Sequence, residues 1–340
     1  MANAPREMMK HVMNRPEWLG KLREDILEPD LPIIDPHHHL WDRLGPYFCD
    51  ELLADLTSGH NVKASVFIQC RWAHKTDGPE HLRPVGETEF VVGVAEEAAA
   101  KNPAINACGG IVAFADLTKP DLLDETIEAH KAAAKGRLRG IRHITAVDPG
   151  FDDALPDIKP RLMMQEDFRA GFAKLAGHGL SFDAWLYHPQ IAEFTDLARA
   201  HPETVMVLDH FGGPLGVGPY RGRGDDVFAD WKASMSELAK CPNARVKLGG
   251  LAMDVNGFDL HLHPLPPSSG EMARLWRPYM ETAIELFGAD RCMFESNFPV
   301  DRGACDYPVL WNAFKRIAAG ASANEKAALF HDTAAKVYRL

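Results

Sequence analysis

Eight short apolar runs recur along the chain, alternating with longer segments whose apolar residues fall at three- and four-residue spacing, and this alternation leaves few folds open. The runs are LPIIDP (31–36), KASVFIQC (63–70), CGGIVAFAD (108–116), LRGIRHIT (138–145), LSFDAWLY (180–187), TVMVLDH (204–210), ARVKLGG (244–250) and DRCMFESN (290–297). They are rich in Val, Ile and Phe and nearly continuous in apolar character, as strands covered on both faces must be. Between them, GETEFVVGVAEEAAAKN (86–102), LLDETIEAHKAAAKG (122–136) and HPQIAEFTDLARAHPE (188–203) carry helical periodicity with Gly, Pro or Asn at their ends. Such units build a parallel sheet, and eight of them close it into a barrel. The expected fold is therefore α/β: a single (β/α)8 TIM barrel over 31–340, preceded by an N-terminal helical extension, 1–30. A Pro-rich insertion, GFDLHLHPLPPSSGEMA, lies within 256–275 after strand 7. At 340 residues and 46% hydrophobic, the chain has enough apolar material for so large a core.

Charge and cysteine usage narrow the partners. The net charge is −11, the pI is near 5.8, and no Lys/Arg stripe is present, which argues against nucleic acid and anionic membrane surfaces. No stretch approaches the roughly 18 apolar residues of a spanning helix, and the N-terminus lacks an apolar signal core. Cys49, Cys70, Cys108, Cys241, Cys292 and Cys305 are scattered without a CxxC pair, as reduced thiols would be. The expectation is a cytoplasmic enzyme acting on a small molecule, with homodimerisation open.

In such a barrel, chemistry sits where strands end and βα loops begin. Strand 1 ends in His37, His38 and His39; strand 2 in Gln69, Arg71 and Trp72; strand 4 in Arg142 and His143. Strand 5 carries Asp183 and ends in Tyr187 and His188, strand 6 ends in Asp209 and His210, and strand 7 offers Lys247. Strand 8 ends in Glu295, Ser296 and Asn297, ahead of Asp301. Side chains alternate along a strand, so His37 and His39 share a face and His38 points the other way. An HxH pair at a barrel mouth can hold one divalent ion, or polarise a carbonyl without one. His210, across the barrel, is placed to be a third ligand or a general base.

The stretches IIDPHHHLWD, LRGIRH, VLDHFGGP, VKLGGLAM and CMFESNFPVD, followed by VLWNAFKRIAAG, resemble the amidohydrolase superfamily from about Leu31 to Leu340. More narrowly, they resemble its amidohydrolase-related branch, which includes sugar lactonases and 2-pyrone-4,6-dicarboxylate lactonase. The resemblance implies hydrolysis of a lactone or related cyclic ester, with zinc or manganese in some members and no metal in others. It makes His37, His39 and His210 the ligands of one divalent ion in a metal-bound member. One departure stands out: where the branch commonly has Gly-Ser-Asp-Trp-Pro, this chain reads Glu295-Ser296-Asn297-Phe298-Pro299. Asn297 can orient water but cannot take its proton. No strand 5 His or strand 4 Lys supports a second metal.

Candidates for the missing base are Asp301, which could equally cap a helix, Glu295, which could equally pair with a Lys or Arg, and the imidazoles His210 and His188. Arg71 and Arg142 suit an anionic substrate's carboxylate. Trp72 and Tyr187 could floor a ring, and His261 of the Pro-rich loop could reach over the site. The alternatives to a lactonase are a metal-dependent decarboxylase of an aromatic or unsaturated acid, which Asn297 disfavours, and a non-catalytic binding protein on the same scaffold.

Overall fold

Each apolar run becomes one parallel strand. In the computed structural model, which describes residues 11–150 and 158–340, β1 is Pro32–His38, β2 Asn61–Ile68, β3 Asn106–Ala113 and β4 Leu138–Ile144. The others are β5 Ser181–Trp185, β6 Met206–Leu208, β7 Ala244–Leu248 and β8 Cys292–Phe294. They form one sheet in sequence order, β1 to β8. The ring closes where β1 and β8 end: Asn297 N donates to His37 O at 2.9 Å and His39 N to Phe298 O at 2.7 Å. Asp35 joins the same seam, its Oδ1 accepting from Ser296 N at 3.0 Å and its Oδ2 from the Tyr307 hydroxyl at 3.1 Å. The result is the expected (β/α)8 barrel.

Helices Val85–Lys101, Pro120–Ala133, Ile191–Ala200, Gly224–Leu238, Ser269–Phe287 and Tyr307–Ile317 cover the outside of the sheet. Between the layers lie fully buried large side chains such as Phe182, Phe194, Trp231, Trp276 and Trp311. Inside the barrel, Val337 and Tyr338 of the C-terminal helix Thr333–Tyr338 pack with Ile34, Val66, Val207 and Met293, plugging the end where the strands begin. Among the described residues no helix is long and apolar enough to cross a membrane, and all six cysteines are free and buried.

Two expectations about the additions need correction. Of the helical extension 1–30, residues 1–10 lie outside the described residues, and from 11 to 30 only Pro16–Leu19 is helical. Pro16 opens that turn and Gly20 ends it; the remainder is a strap tied to the barrel through groups such as Leu27 N and Asp25 O, both bonded to the Asn312 side chain. The insertion after β7 is shorter than 256–275: Ser268 Oγ accepts from Glu271 N at 3.1 Å and starts the next helix at Ser269.

Candidate active site

Strand alternation turns His37 and His39 into the barrel, with their Nε2 atoms 3.3 Å apart. His38 faces outward against Ser65 Oγ at 3.0 Å, a structural residue. Each inward ring is anchored through its other nitrogen. His39 Nδ1 donates to Ile68 O at 2.8 Å, and His37 Nδ1 lies 2.9 Å from Glu295 Oε2. The other Glu295 oxygen, Oε1, lies 2.6 Å from His210 Nδ1 and also accepts from His210 N at 3.2 Å. One carboxylate thus fixes two imidazoles and leaves the Nε2 of both for chemistry.

A buried ionic stack supports this arrangement. Lys247 Nζ lies 2.9 Å from Asp183 Oδ2, 3.0 Å from Asp209 Oδ1 and 3.2 Å from His37 Nδ1. The Tyr338 hydroxyl donates to Asp183 Oδ2 at 2.6 Å. Because the ammonium is already matched by two carboxylates and Glu295 is nearer to His37, His37 Nδ1–H donates to Glu295 Oε2. Burial, reinforced by Lys247, holds His37 below the ordinary imidazole range, and burial holds His39 well below it. Burial alone would raise Glu295, yet His210 and His37 beside it bring it down to about 2. The site therefore combines two imidazoles that burial keeps neutral, His37 and His39, with an ionised clamp.

Local backbone explains how these groups come so close. His210 and Phe211 adopt φ of 52° and 58°, the left-handed region that costs a non-glycine residue about 1 kcal/mol or more. The chain therefore leaves β6 at Leu208, earlier than the apolar run suggests, and swings His210 toward Glu295. Gly249 and Gly250 after β7 make room for both partners. A Cβ on Gly249 would stand 2.3 Å from Glu295 O, and one on Gly250, at φ 74°, would stand 2.6 Å from His210 Nδ1. Asn297, at φ 56°, donates from Nδ2 to Asp301 Oδ1 at 2.8 Å, leaving its carbonyl oxygen for the cleft.

Above these groups opens a cleft of about 250 Å³. His39, His210 and Asn297 line its floor with Trp41 and Trp185, and Arg43, Arg71 and Arg142 line its walls. Among the described lining residues none is acidic, in a chain of net charge −11. Arg142 is braced by Gln69 O at 2.5 Å and by Asp209 Oδ2 at 3.6 Å. Arg43 donates to Cys70 O and Arg71 O, each at 2.8 Å.

Of the residues singled out in the sequence, His37, His39, His210, Asn297, Arg71 and Arg142 meet at this site. Asp301 lies behind Asn297, its Oδ2 accepting from Ala252 N at 3.2 Å, and burial pushes it up to about 7, so it positions the amide. His188 is outside the cleft lining: its Nδ1 accepts from Leu215 N at 3.3 Å and its ring meets Tyr220. Tyr187 is also outside, because β5 ends at Trp185 and the chain turns before a second inward aromatic can follow. Trp72 packs on Phe48 and under Arg43 after the left-handed turn at Arg71. His261 is held away from the lining, its carbonyl accepting from Arg15 and its Nε2 3.8 Å from Asp254. Among the residues that gained a role, Asp209 and Glu295 each follow an inward-facing apolar residue by two, Val207 and Met293, so strand parity was their signal.

The site fits one divalent cation. Two imidazole nitrogens bound to one tetrahedral ion at about 2.1 Å stand about 3.4 Å apart, close to the 3.3 Å between His37 and His39 Nε2. His37, Asp209 and His210 also have ligand atoms within 4.8 Å of one another. The Lys247 ammonium already fills the corner between Asp209 and His37 Nδ1, so the Nε2 side is the better ligand set.

The family model described as Amidohydrolase matches residues 34–340. An uncharacterized protein of Sinorhizobium fredii, y4mH, is 34% identical over 92% of this chain and 99% of its own length. L-fucono-1,5-lactonase of Burkholderia multivorans is 26% identical over 90% of this chain and 96% of its own length. A crystal structure of an amidohydrolase from Burkholderia multivorans with bound zinc superposes with a TM-score of 0.70 at 25% identity, covering 91% of this chain and 99% of that one.

Proposed function

This chain belongs to the amidohydrolase family and is a hydrolase; on that footing we propose that it opens a lactone whose ring carries a carboxylate. The observation that carries the reading is the Glu295 clamp, which fixes His210 Nδ1 and His37 Nδ1 beside the paired Nε2 atoms of His37 and His39. The similarity to a fuconolactonase supports ester opening, and the three arginines in a cleft lined by no acid among the described residues support an anionic substrate.

In this reading His37 and His39 hold one divalent ion, zinc or manganese, which supplies Lewis-acid polarisation of the ester carbonyl. Arg71 and Arg142 bind the carboxylate and set the ring against Trp185. The Asn297 side-chain oxygen accepts a hydrogen bond from water and aims it. His210 Nε2 removes the water proton as the C–O bond forms, while Glu295 stabilises the imidazolium. The same proton then passes to the ring oxygen as the acyl C–O bond breaks, giving a hydroxy acid.

The test is acid release from a panel of neutral and carboxylate-bearing lactones, with carbon dioxide release from aromatic acids measured in parallel. Ring opening, fastest with the acidic lactones, is the expected result. Carbon dioxide without lactone opening would replace this reading with a decarboxylase.

A further inference from the structure

The family match begins at residue 34, yet the chain ahead of it reaches the cleft. The strap is fastened to the barrel by Lys315 Nζ, which donates to Leu27 O at 2.7 Å and Glu28 O at 2.8 Å. Farther toward the N-terminus it ties together three loops that shape the cleft. Asn14 N donates to Leu44 O at 3.4 Å, after β1. Arg15 Nη2 donates to His261 O at 2.5 Å, and Trp18 Nε1 lies 3.2 Å from both His263 O and Pro264 O, in the insertion after β7. Val12 lies on Gly303, after β8, where an added Cβ would come within 2.6 Å of the Val12 Cβ. The Arg15 guanidinium covers the Trp18 ring at 4.0 Å and braces the clasp.

At the end of this clasp His11 lines the cleft, its ring centre 6.1 Å from that of Trp41. Trp41 in turn stacks on His39 at 4.9 Å and 16°. One indole therefore separates an exposed imidazole at the mouth from the buried imidazole of the floor. A ligand lying along Trp41 meets His39 at one end and His11 at the other.

We infer that the strap is a specificity element and that His11 is a substrate-binding residue, donating a hydrogen bond to a carboxylate on the ring of the substrate. Sequence outside the family region thus selects among ligands that the shared floor would treat alike. The inference rests on the anionic-substrate reading above, so its first readout is binding of a non-hydrolysable polyanion, citrate, to this chain by calorimetry.

Citrate should bind the wild-type chain, and His11→Ala should weaken it about three- to tenfold, the effect of one lost hydrogen bond. His11→Gln, which keeps a donor, should recover most of that loss, with the thermal midpoint unchanged in both variants. Trp18→Phe keeps the packing but removes the N–H that holds the strap, and should weaken citrate in the same sense. With a lactone substrate, His11→Ala should raise KM by a similar factor and leave kcat in place. Citrate affinity that is equal in wild type and His11→Ala, or absent from both, overturns the inference. Citrate binding that depends on His11 without any lactone turnover supports it and overturns the lactonase reading alone.

Discussion

Glu295 and His210 are joined twice: one carboxylate oxygen lies 2.6 Å from the imidazole Nδ1 and accepts from the same residue's backbone N–H at 3.2 Å. The second contact holds a left-handed backbone that would otherwise relax, and the first fixes the tautomer. A side chain that looks structural therefore sets the protonation pattern of the reacting imidazole. Glu295→Gln should keep the fold by circular dichroism but lower kcat by about 100-fold or more, because a neutral amide cannot stabilise the imidazolium formed at His210 and has only one oxygen with which to accept from the two Nδ1–H groups. A kcat within a few-fold of wild type would remove Glu295 from the mechanism.

His39 and His210 have separable roles. Elemental analysis of protein purified without chelator should find zinc or manganese near one per chain. His39→Ala should lose the metal and turnover together, whereas His210→Ala should retain metal and lose turnover by about 100-fold or more. Metal lost from both variants would make His210 a ligand and send the search for a base elsewhere.

Arg71→Ala should raise KM about tenfold for a lactone bearing a carboxylate and change it little for a neutral sugar lactone. Equal effects on both substrates would mean that the arginine shapes the cleft without reading charge.

Gly250→Ala adds a methyl group that would stand 2.6 Å from His210 Nδ1, at a φ of 74°. Thermal unfolding should show a loss of about 1 kcal/mol or more, with kcat falling further than the stability change explains. Full activity in a merely destabilised variant would show that the His210 ring tolerates displacement.

Acid should destabilise the fold. Burial keeps His38 neutral to about 3 and His60, His130 and His188 neutral to about 4, while an unfolded imidazole titrates near 6.5. Below that pH the unfolded chain binds protons that the folded one refuses, and stability falls. Burial acts oppositely on Asp35, raised to about 6, and on Asp55 and Asp301, raised to about 7, which favour the fold as pH drops toward about 4. Glu87, Asp183 and Glu193 are raised as well, but His37, His39 and His74 are lowered like the other four imidazoles, and unfolded imidazoles take up their protons within the window from about pH 7 to about pH 5, so seven imidazoles outweigh six carboxyls. The thermal midpoint should drop between about pH 7 and about pH 5; a rise would show that the carboxyls dominate.

What could be read from the residues divides along physical lines. The barrel was legible because apolar runs on doubly covered strands are a local signal, and every run overlaps a strand. His37, His39, His210 and Asn297 were legible because strand ends face the site. Tyr187, Trp72 and His188 stand outside the cleft lining because the chain departs from strand geometry at Trp185 and at the left-handed Arg71, a change that the side-chain pattern does not record. The pairings of Lys247 with Asp183 and Asp209, and of Glu295 with two histidines, join residues far apart in sequence whose partners parity alone cannot choose. His11 lay outside the reading because nothing in a strap of mixed composition says which loops it will tie together.

The central claim is that water attacks a carbonyl held over His39 and is deprotonated at His210. Turnover of a carboxylate-bearing lactone in ¹⁸O-labelled water tests it directly. One labelled oxygen in the new carboxylate, formed about 100-fold or more slowly by His210→Ala under the same conditions, is the predicted result. Label in the released hydroxyl, or loss of carbon dioxide from the substrate with the ring intact, would contradict it.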